Sequence, residues 1–161
     1  MELYHGGIGI VISPDVNFGR DNLDFGKGFY LTDILSQATE WAKHIAQDRN
    51  SFPPIVNVYD FDKDGFLSVA KYKIFDGYDS EWLDFVVRSR LGEKPWDGYD
   101  YIEGSIADDK VLQTVRLYMG GFLTALEALG RLKYEKSNNQ ICILNQGLLN
   151  KYLSYKKHIV L

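Results

Sequence analysis

The amino-acid sequence predicts an α+β fold, and three observations lead there. Runs rich in branched and aromatic residues, the composition of strands, recur at both ends and in the middle of the chain. Segments with apolar residues three and four apart, the period of a helix, lie between them. The two kinds do not alternate strictly, which argues against a doubly wound parallel sheet. The 161 residues are read as one domain, spanning 1–161, with enough length for a substantial core.

ELYH (2–5) reads as the first strand, and IGIVI (8–12) either extends it or forms a second short one. Ser13, Pro14 and Asp15 start a loop that runs to Gly28, with Asn17, Gly19, Asp21 and Asn22 as turn formers. A loop of that length more often serves function than mere connection. FYLT (29–32) is a strand, and Asp33 is placed to cap the helix after it. Ile34, Leu35, Ala38, Trp41, Ala42 and Ile45 give the helix at 34–48 its apolar face.

A break at 51–54 precedes the strand IVNVYDF (55–61). FLSVAKY (66–72) reads as its hairpin partner, turning around Lys63–Gly65. Residues 80–91 form a helix capped by Ser80, with Trp82, Phe85, Val86 and Ser89 inward. A short strand lies within 99–106, and a helix at 109–119 ends on glycines. TALE (124–127) is a capping box that starts a helix at 125–131. QICILN (140–145) is a strand bounded by Ser137, Asn138 and Asn139; GLLNKYL (147–153) is helical, and SYKKHIVL (154–161) is a final edge strand.

Composition narrows the function. Eighteen Lys and Arg against 22 Asp and Glu leave a net charge of −4, a poor match to broad phosphate contact, so nucleic acid is an unlikely partner. Aromatic residues are plentiful, at 11 Tyr, 9 Phe and 3 Trp, and serve a sheet core or a groove. The lone cysteine, Cys142, excludes an intramolecular disulfide and fits a cytoplasmic protein. No signal peptide or membrane span is visible.

Several generic motifs fail on context. GGIGI (6–10) lacks the third glycine of a dinucleotide loop, Ile12 standing in its place, and no helix follows. Asp24-Phe25-Gly26 copies a kinase tripeptide without its companions. Asp60, Asp62, Asp64 and Gly65 match half of a calcium loop, but its twelfth position holds Lys71 rather than Glu. His5, His44 and His158 have no partner at metal-ligand spacing, so no metal is expected. Cys142 sits in an apolar strand and reads as a small hydrophobe.

His5, Tyr30 and Gln140 are left: each is polar and lies in a strand among apolar neighbours. Taken singly, each reads as a satisfied core or edge residue. Taken together, LYHG (3–6), GKGFYLT (26–32) and NNQICI (138–143) resemble the three ordered motifs of the ADP-ribosyltransferase superfamily, in its diphtheria-toxin/PARP branch. More closely, the chain resembles a bacterial family of unknown function assigned to that superfamily. LYHG, Pro14-Asp15, Gly19-Arg20, DFGKGFYLTD (24–33), QATEWA (37–42), EWLDF (81–85), GSIADDKV (104–111) and NQICI (139–143) carry that likeness over nearly the whole chain.

The resemblance implies an ADP-ribosyltransferase-like split β-sheet core with flanking helices, and NAD as substrate in a cleft between two small sheets. It implies that His5 hydrogen-bonds a ribose hydroxyl, that the Gly6 backbone holds the nicotinamide amide, and that Tyr30 stacks on the nicotinamide while Phe29 faces away. Arg20 would pair with the pyrophosphate through its fork of donors. The position that holds Glu in the best-known pattern is Gln140, which hydrogen-bonds but carries no charge. Asp108 and Asp109 are the candidates to supply a base, and they also suit a helix N-terminus.

The expected activity is therefore an NAD-dependent transfer of ADP-ribose to a protein or other macromolecular acceptor, as in a bacterial toxin or effector with an antitoxin partner. The alternatives are an NAD glycohydrolase and a non-catalytic binding module that keeps the fold. Ala38 and Trp41 are expected to pack the first helix onto the sheet, and Val56, Val58, Phe61 and Ile143 to be core.

Overall fold

The structure, a computed structural model, describes residues 1–50, 53–132 and 138–161. In chain order its elements are β1 (Glu2–Gly7), β2 (Phe29–Leu31), α1 (Leu35–Asp48), β3 (Ile55–Phe61), α2 (Lys63–Val69), β4 (Tyr72–Ile74), α3 (Ser80–Arg90), β5 (Tyr101–Gly104), α4 (Asp109–Met119), α5 (Ala125–Leu132), β6 (Gln140–Ile143), α6 (Gln146–Tyr152) and β7 (Leu153–Val160). The strands make two sheets, an antiparallel one ordered β1-β3-β7 and a second ordered β2-β6-β5-β4, in which β4 alone runs parallel to its neighbour. The fold is thus α+β with a divided β core.

Strand alternation sorts the side chains into layers. Phe29, Leu31, Tyr101, Ile141 and Ile143 of the second sheet meet Leu3, Tyr59 and Phe61 of the first. The opposite face of the second sheet, with Ile102 and Cys142, is covered by Trp82, Phe85 and Val86 of α3, Val111 and Val115 of α4, and Ala128 and Leu132 of α5. On the outer face of the first sheet, Ala38 and Ala42 of α1 pack on Val56. Val56, Val58, Phe61 and Ile143 are all buried, as expected.

Helix ends follow side-chain chemistry. Asp79, not Ser80, caps α3, its carboxylate accepting the Trp82 N–H, because the chain enters the helix one residue earlier than its hydroxyl implied. Asp33 does not cap α1: Ile34 is the cap residue without a side-chain bond, and the Asp33 carboxylate accepts from the Asn139 carboxamide instead. The capping box at Thr124 and Glu127 forms in both directions.

Two segments differ in kind from expectation. FLSVAKY is mostly helix, since Asp62 caps α2 by accepting the Gly65 N–H, and only Tyr72 onward is strand. IGIVI forms no strand. The fully buried Asn57 takes its backbone instead, accepting from Val11 N–H and donating to the Gly9 carbonyl, while Tyr59 O–H donates to the Val11 carbonyl.

Trp41 is a further correction: it is 54% exposed rather than packed. A Cβ on Gly6 would run into the Ala38 carbonyl oxygen, so α1 lies directly on the β1 backbone. Only alanines fit such a contact, and the indole is displaced to its rim. Ser137 and part of the break at 51–54 lie outside the described residues.

Candidate functional site

The site is built where β1 and β2 part. Tyr4 and Thr32 exchange both backbone hydrogen bonds, N–H to carbonyl at 2.8 and 3.0 Å, and form an isolated bridge. Continuing that antiparallel register would set Gly6 opposite Tyr30. The pairing stops short of it, and the His5 ring intervenes with Nδ1 2.8 Å from the Tyr30 carbonyl oxygen. Backbone groups alternate in direction along a strand, so the N–H and C=O of Gly6 project toward the same edge as those of Tyr4, where no strand follows. The junction therefore leaves an open backbone edge.

The His5 contact fixes a tautomer. A carbonyl only accepts, so Nδ1 carries the proton, and Nε2 keeps its lone pair while the ring is neutral. Burial holds the imidazole below the usual histidine pKa, outweighing the opposite pull of the Tyr30 carbonyl. The ring stacks on Phe29 at 4.7 Å between centroids, which fixes its plane. His5 thus presents a neutral, oriented acceptor at Nε2.

Tyr30 sits on the other face of β2, against the core under α3–α5. Its hydroxyl donates to the Gly26 carbonyl at 2.6 Å and accepts from the Phe25 N–H at 3.1 Å. Burial pushes the phenol pKa well up, so this hydroxyl stays protonated. The turn that it staples is anchored again by Arg90, whose Nε donates to Asp24 at 2.8 Å. The two glycines of this turn serve packing: Gly26 has φ +87° and lies under the Trp96 ring, and Gly28 abuts Cys142 and Ile143.

Gln140 heads β6 and shares a sheet face with Cys142, which pairs with Tyr30 across β2 and β6. One further step of that register sets Gln140 opposite Thr32, the residue bridged to Tyr4. Its carboxamide nitrogen lies 3.5 Å from the Ser105 carbonyl, a long contact. His5, Gly6 and Tyr30 thus lie within two residues of the Tyr4–Thr32 bridge, and Gln140 pairs with Gly104; extending the β2–β6 register would bring the two pairs into one line, Tyr4–Thr32–Gln140–Gly104.

The remaining candidates stand apart from that line. Asp108 caps α4, accepting the Val111 N–H at 2.9 Å, and Asp109 is exposed in the first turn of that helix. Among the described residues neither is hydrogen-bonded to His5, Tyr30 or Gln140. Arg20 is exposed, forms no ion pair among the described residues, and follows Gly19, which lies against the Gly28 backbone at the DFGKG turn. Concavities of about 250 and 610 Å³ lie elsewhere, one reaching Lys27 and Trp96, the other along Asp60–Asp62 and Asn150–Ser154.

Two residues gain significance from the structure: Glu103, which the sequence does not single out, and Trp41, which the sequence places in the packing. Glu103 accepts from Lys63 Nζ (2.7 Å), Tyr101 O–H (2.7 Å) and Asn139 Nδ2 (3.1 Å). Burial raises its pKa, but these three donors more than offset that, so it lies below the ordinary glutamate value and Glu103 is ionised. With its oxygens engaged, it is an anchor rather than a base. Trp41 is the other; its exposed ring lies three residues from Ala38 and one from Ala42, both against Gly6. No local signal marks either: a single Glu in a strand and a Trp at helical spacing both read as ordinary.

The chain belongs to the family described as Protein of unknown function (DUF3990), whose model matches residues 1–155. No curated protein and no solved structure matches the chain. Among the described residues no helix is long and apolar enough to cross a membrane, and no three His, Cys, Asp or Glu side chains are grouped to hold a metal ion.

Proposed function

We propose that this chain binds NAD at the parted edge of β1 and β2 and transfers ADP-ribose to a macromolecular acceptor, on a fold of the ADP-ribosyltransferase type. One observation carries the reading: His5 Nδ1 is spent on the Tyr30 carbonyl where strand pairing stops, which leaves Nε2 as an acceptor near Gly7 and, one residue away, the Gly6 backbone edge without a β2 partner. An acceptor nitrogen suits a ribose hydroxyl. A backbone N–H and C=O on one residue suit a carboxamide such as that of nicotinamide. The motif resemblance to the superfamily supports it, as does the Tyr30 backbone at that edge, although the Tyr30 ring lies on the face of β2 opposite Phe29 and His5.

The chemistry follows from these groups. The bond between nicotinamide N1 and ribose C1′ breaks, its electron pair leaves with neutral nicotinamide, and positive charge develops on the sugar. The acceptor's oxygen or nitrogen bonds to C1′, and its proton passes to solvent water. Gln140 offers hydrogen bonds to the ribose or the acceptor but takes no proton at neutral pH. Tyr30 contributes ring surface, and Trp41 provides the more exposed aromatic face at the rim. Arg20, exposed beside the DFGKG turn and without an ion pair among the described residues, is suited to the pyrophosphate. A bacterial toxin or effector role with an antitoxin partner rests on the resemblance alone.

Gln140 favours a second reading, a binding module without turnover: it is neutral, and the ionised Glu103 nearby is fully engaged. Incubating the protein with NAD and a cell lysate separates the readings. Nicotinamide release with macromolecular label, both lost in His5→Ala, supports the transferase; release without label supports a glycohydrolase. NAD binding without release supports the module, and no binding refutes all three.

A further inference from the structure

Asn139, the residue before Gln140, is clasped from two directions. The Gln37 carboxamide takes both of its backbone groups: Nε2 donates to the Asn139 carbonyl at 2.7 Å, and Oε1 accepts the Asn139 N–H at 3.2 Å. The Asn139 side chain in turn donates to Asp33 and to Glu103, each at 3.1 Å. Glu103 is held by Lys63 and Tyr101. One short peptide segment is thus tied to α1, to the end of β2, to β5 and, through Lys63, to α2.

From this geometry we propose that Gln37 is the positioning residue for Gln140, fixing the head of β6 against α1 so that the Gln140 carboxamide holds one place beside the His5–Gly6 edge. The physical need is specific. Gln140 is the first residue of its strand; it pairs with Gly104 of β5, and among the described residues its side chain makes a single long contact, to the Ser105 carbonyl. A strand end frays unless its backbone groups find partners. Two bonds from one planar amide set both position and orientation. Helix α1 also carries Ala38, the next residue, against Gly6, so the same turn of helix locates Gly6 and, through Gln37, Gln140. The clasp therefore sets the distance across the proposed NAD edge, and its catalytic meaning rests on the function proposed above.

The test is Gln37→Met, which keeps the length of the side chain and removes both bonds, with Gln37→Glu as the variant that restores the acceptor alone. The readouts are amide hydrogen exchange at Asn139 and Gln140, NAD affinity, and the rate of nicotinamide release. Gln37→Met should speed exchange at Asn139 by about tenfold or more while core amides of β3 keep theirs. It should lower the release rate by about tenfold with NAD affinity within about twofold, and Gln37→Glu should recover part of each loss. Wild-type exchange at Asn139 and Gln140 in Gln37→Met overturns the proposal, as does a rate that falls only in step with binding or with global unfolding. If the wild-type protein releases no nicotinamide, the transferase reading falls, and the exchange of these two amides alone decides whether Gln37 positions Gln140.

Discussion

The imidazole Nδ1 of His5 takes the Tyr30 carbonyl oxygen at 2.8 Å, at the point where the pairing of β1 with β2 ends. A histidine ring here does what the next strand rung would have done, and it holds the two sheets at a fixed separation. Because the bonded nitrogen must be the donor, the free nitrogen is an acceptor while the ring is neutral.

This gives a pH dependence with a definite sign. Burial holds the His5 pKa below that of a free imidazole. The unfolded chain thus binds the proton more readily than the folded one, and stability rises with pH across that interval. The contribution is complete above the unfolded value and is lost as pH falls through the folded one. NMR titration of the ring should show a midpoint below 6.5, and any ligand held at Nε2 should be released over the same acid range.

Gly6 is fixed by packing. In Gly6→Ala the new methyl meets the Ala38 carbonyl and the Ala42 nitrogen, both backbone, so α1 must shift. The expected cost is about 1–3 kcal/mol, read by denaturant unfolding. Gly9→Ala, with nothing within 4 Å of the added carbon, is the control and should change stability little.

For Tyr30 the structure reassigns the hydroxyl. Tyr30→Phe leaves the Gly26 carbonyl and Phe25 N–H without a partner, and should cost about 1–3 kcal/mol. The ring stays, so a ligand stacked on it should bind with little change. Tyr30→Ala loses ring and bonds together and should cost about 3–5 kcal/mol. Unfolding curves and NAD titrations of the two variants distinguish the roles.

Trp41→Ala is expected to leave stability within about 0.5 kcal/mol, since the indole is more than half exposed. Loss of NAD affinity without loss of fold would place this ring at the site. Unchanged affinity would leave it an ordinary surface residue.

Glu103 sets an acid limit of its own. Its pKa is depressed because the Lys63, Tyr101 and Asn139 donors outweigh burial. A depressed carboxylate adds stability that is present above its unfolded value and lost as pH falls through its folded one. Glu103→Gln should cost about 1–3 kcal/mol at neutral pH and much less at strongly acid pH. Urea midpoints at the two pH values measure the difference.

Much of this was legible in the sequence where the signal is local. The strand at 55–61, the inward face of α3, the extent of α4, and the reciprocal cap at Thr124 and Glu127 each follow from periodicity, glycine punctuation or short-range hydrogen bonding. Errors arose where a distant partner decided. Asp33 forgoes capping because Asn139, far along the chain, needs an acceptor. IGIVI has strand-like composition, yet Asn57 and Tyr59 take its backbone. FLSVAKY is the exception, since a local contact decides it: the segment reads as strand by its branched and aromatic residues, but Asp62, accepting from Gly65 three residues on, caps a helix ahead of it. At the site, the residue types at 5, 30 and 140 could be picked out, whereas the clasp of Gln37 and the anchor at Glu103 could not, since no spacing relates positions 37, 103 and 139.

The most direct test of the central claim is an NMR titration of the ¹⁵N-labelled protein with NAD. The account predicts that the largest shifts fall on the Gly6 amide and the His5 Nε2, with Tyr30 and Gln140 next, and that His5→Ala abolishes them while remaining folded. Shifts centred elsewhere, such as the concavity reaching Lys27 and Trp96, or no shifts at NAD concentrations of several millimolar, would contradict it.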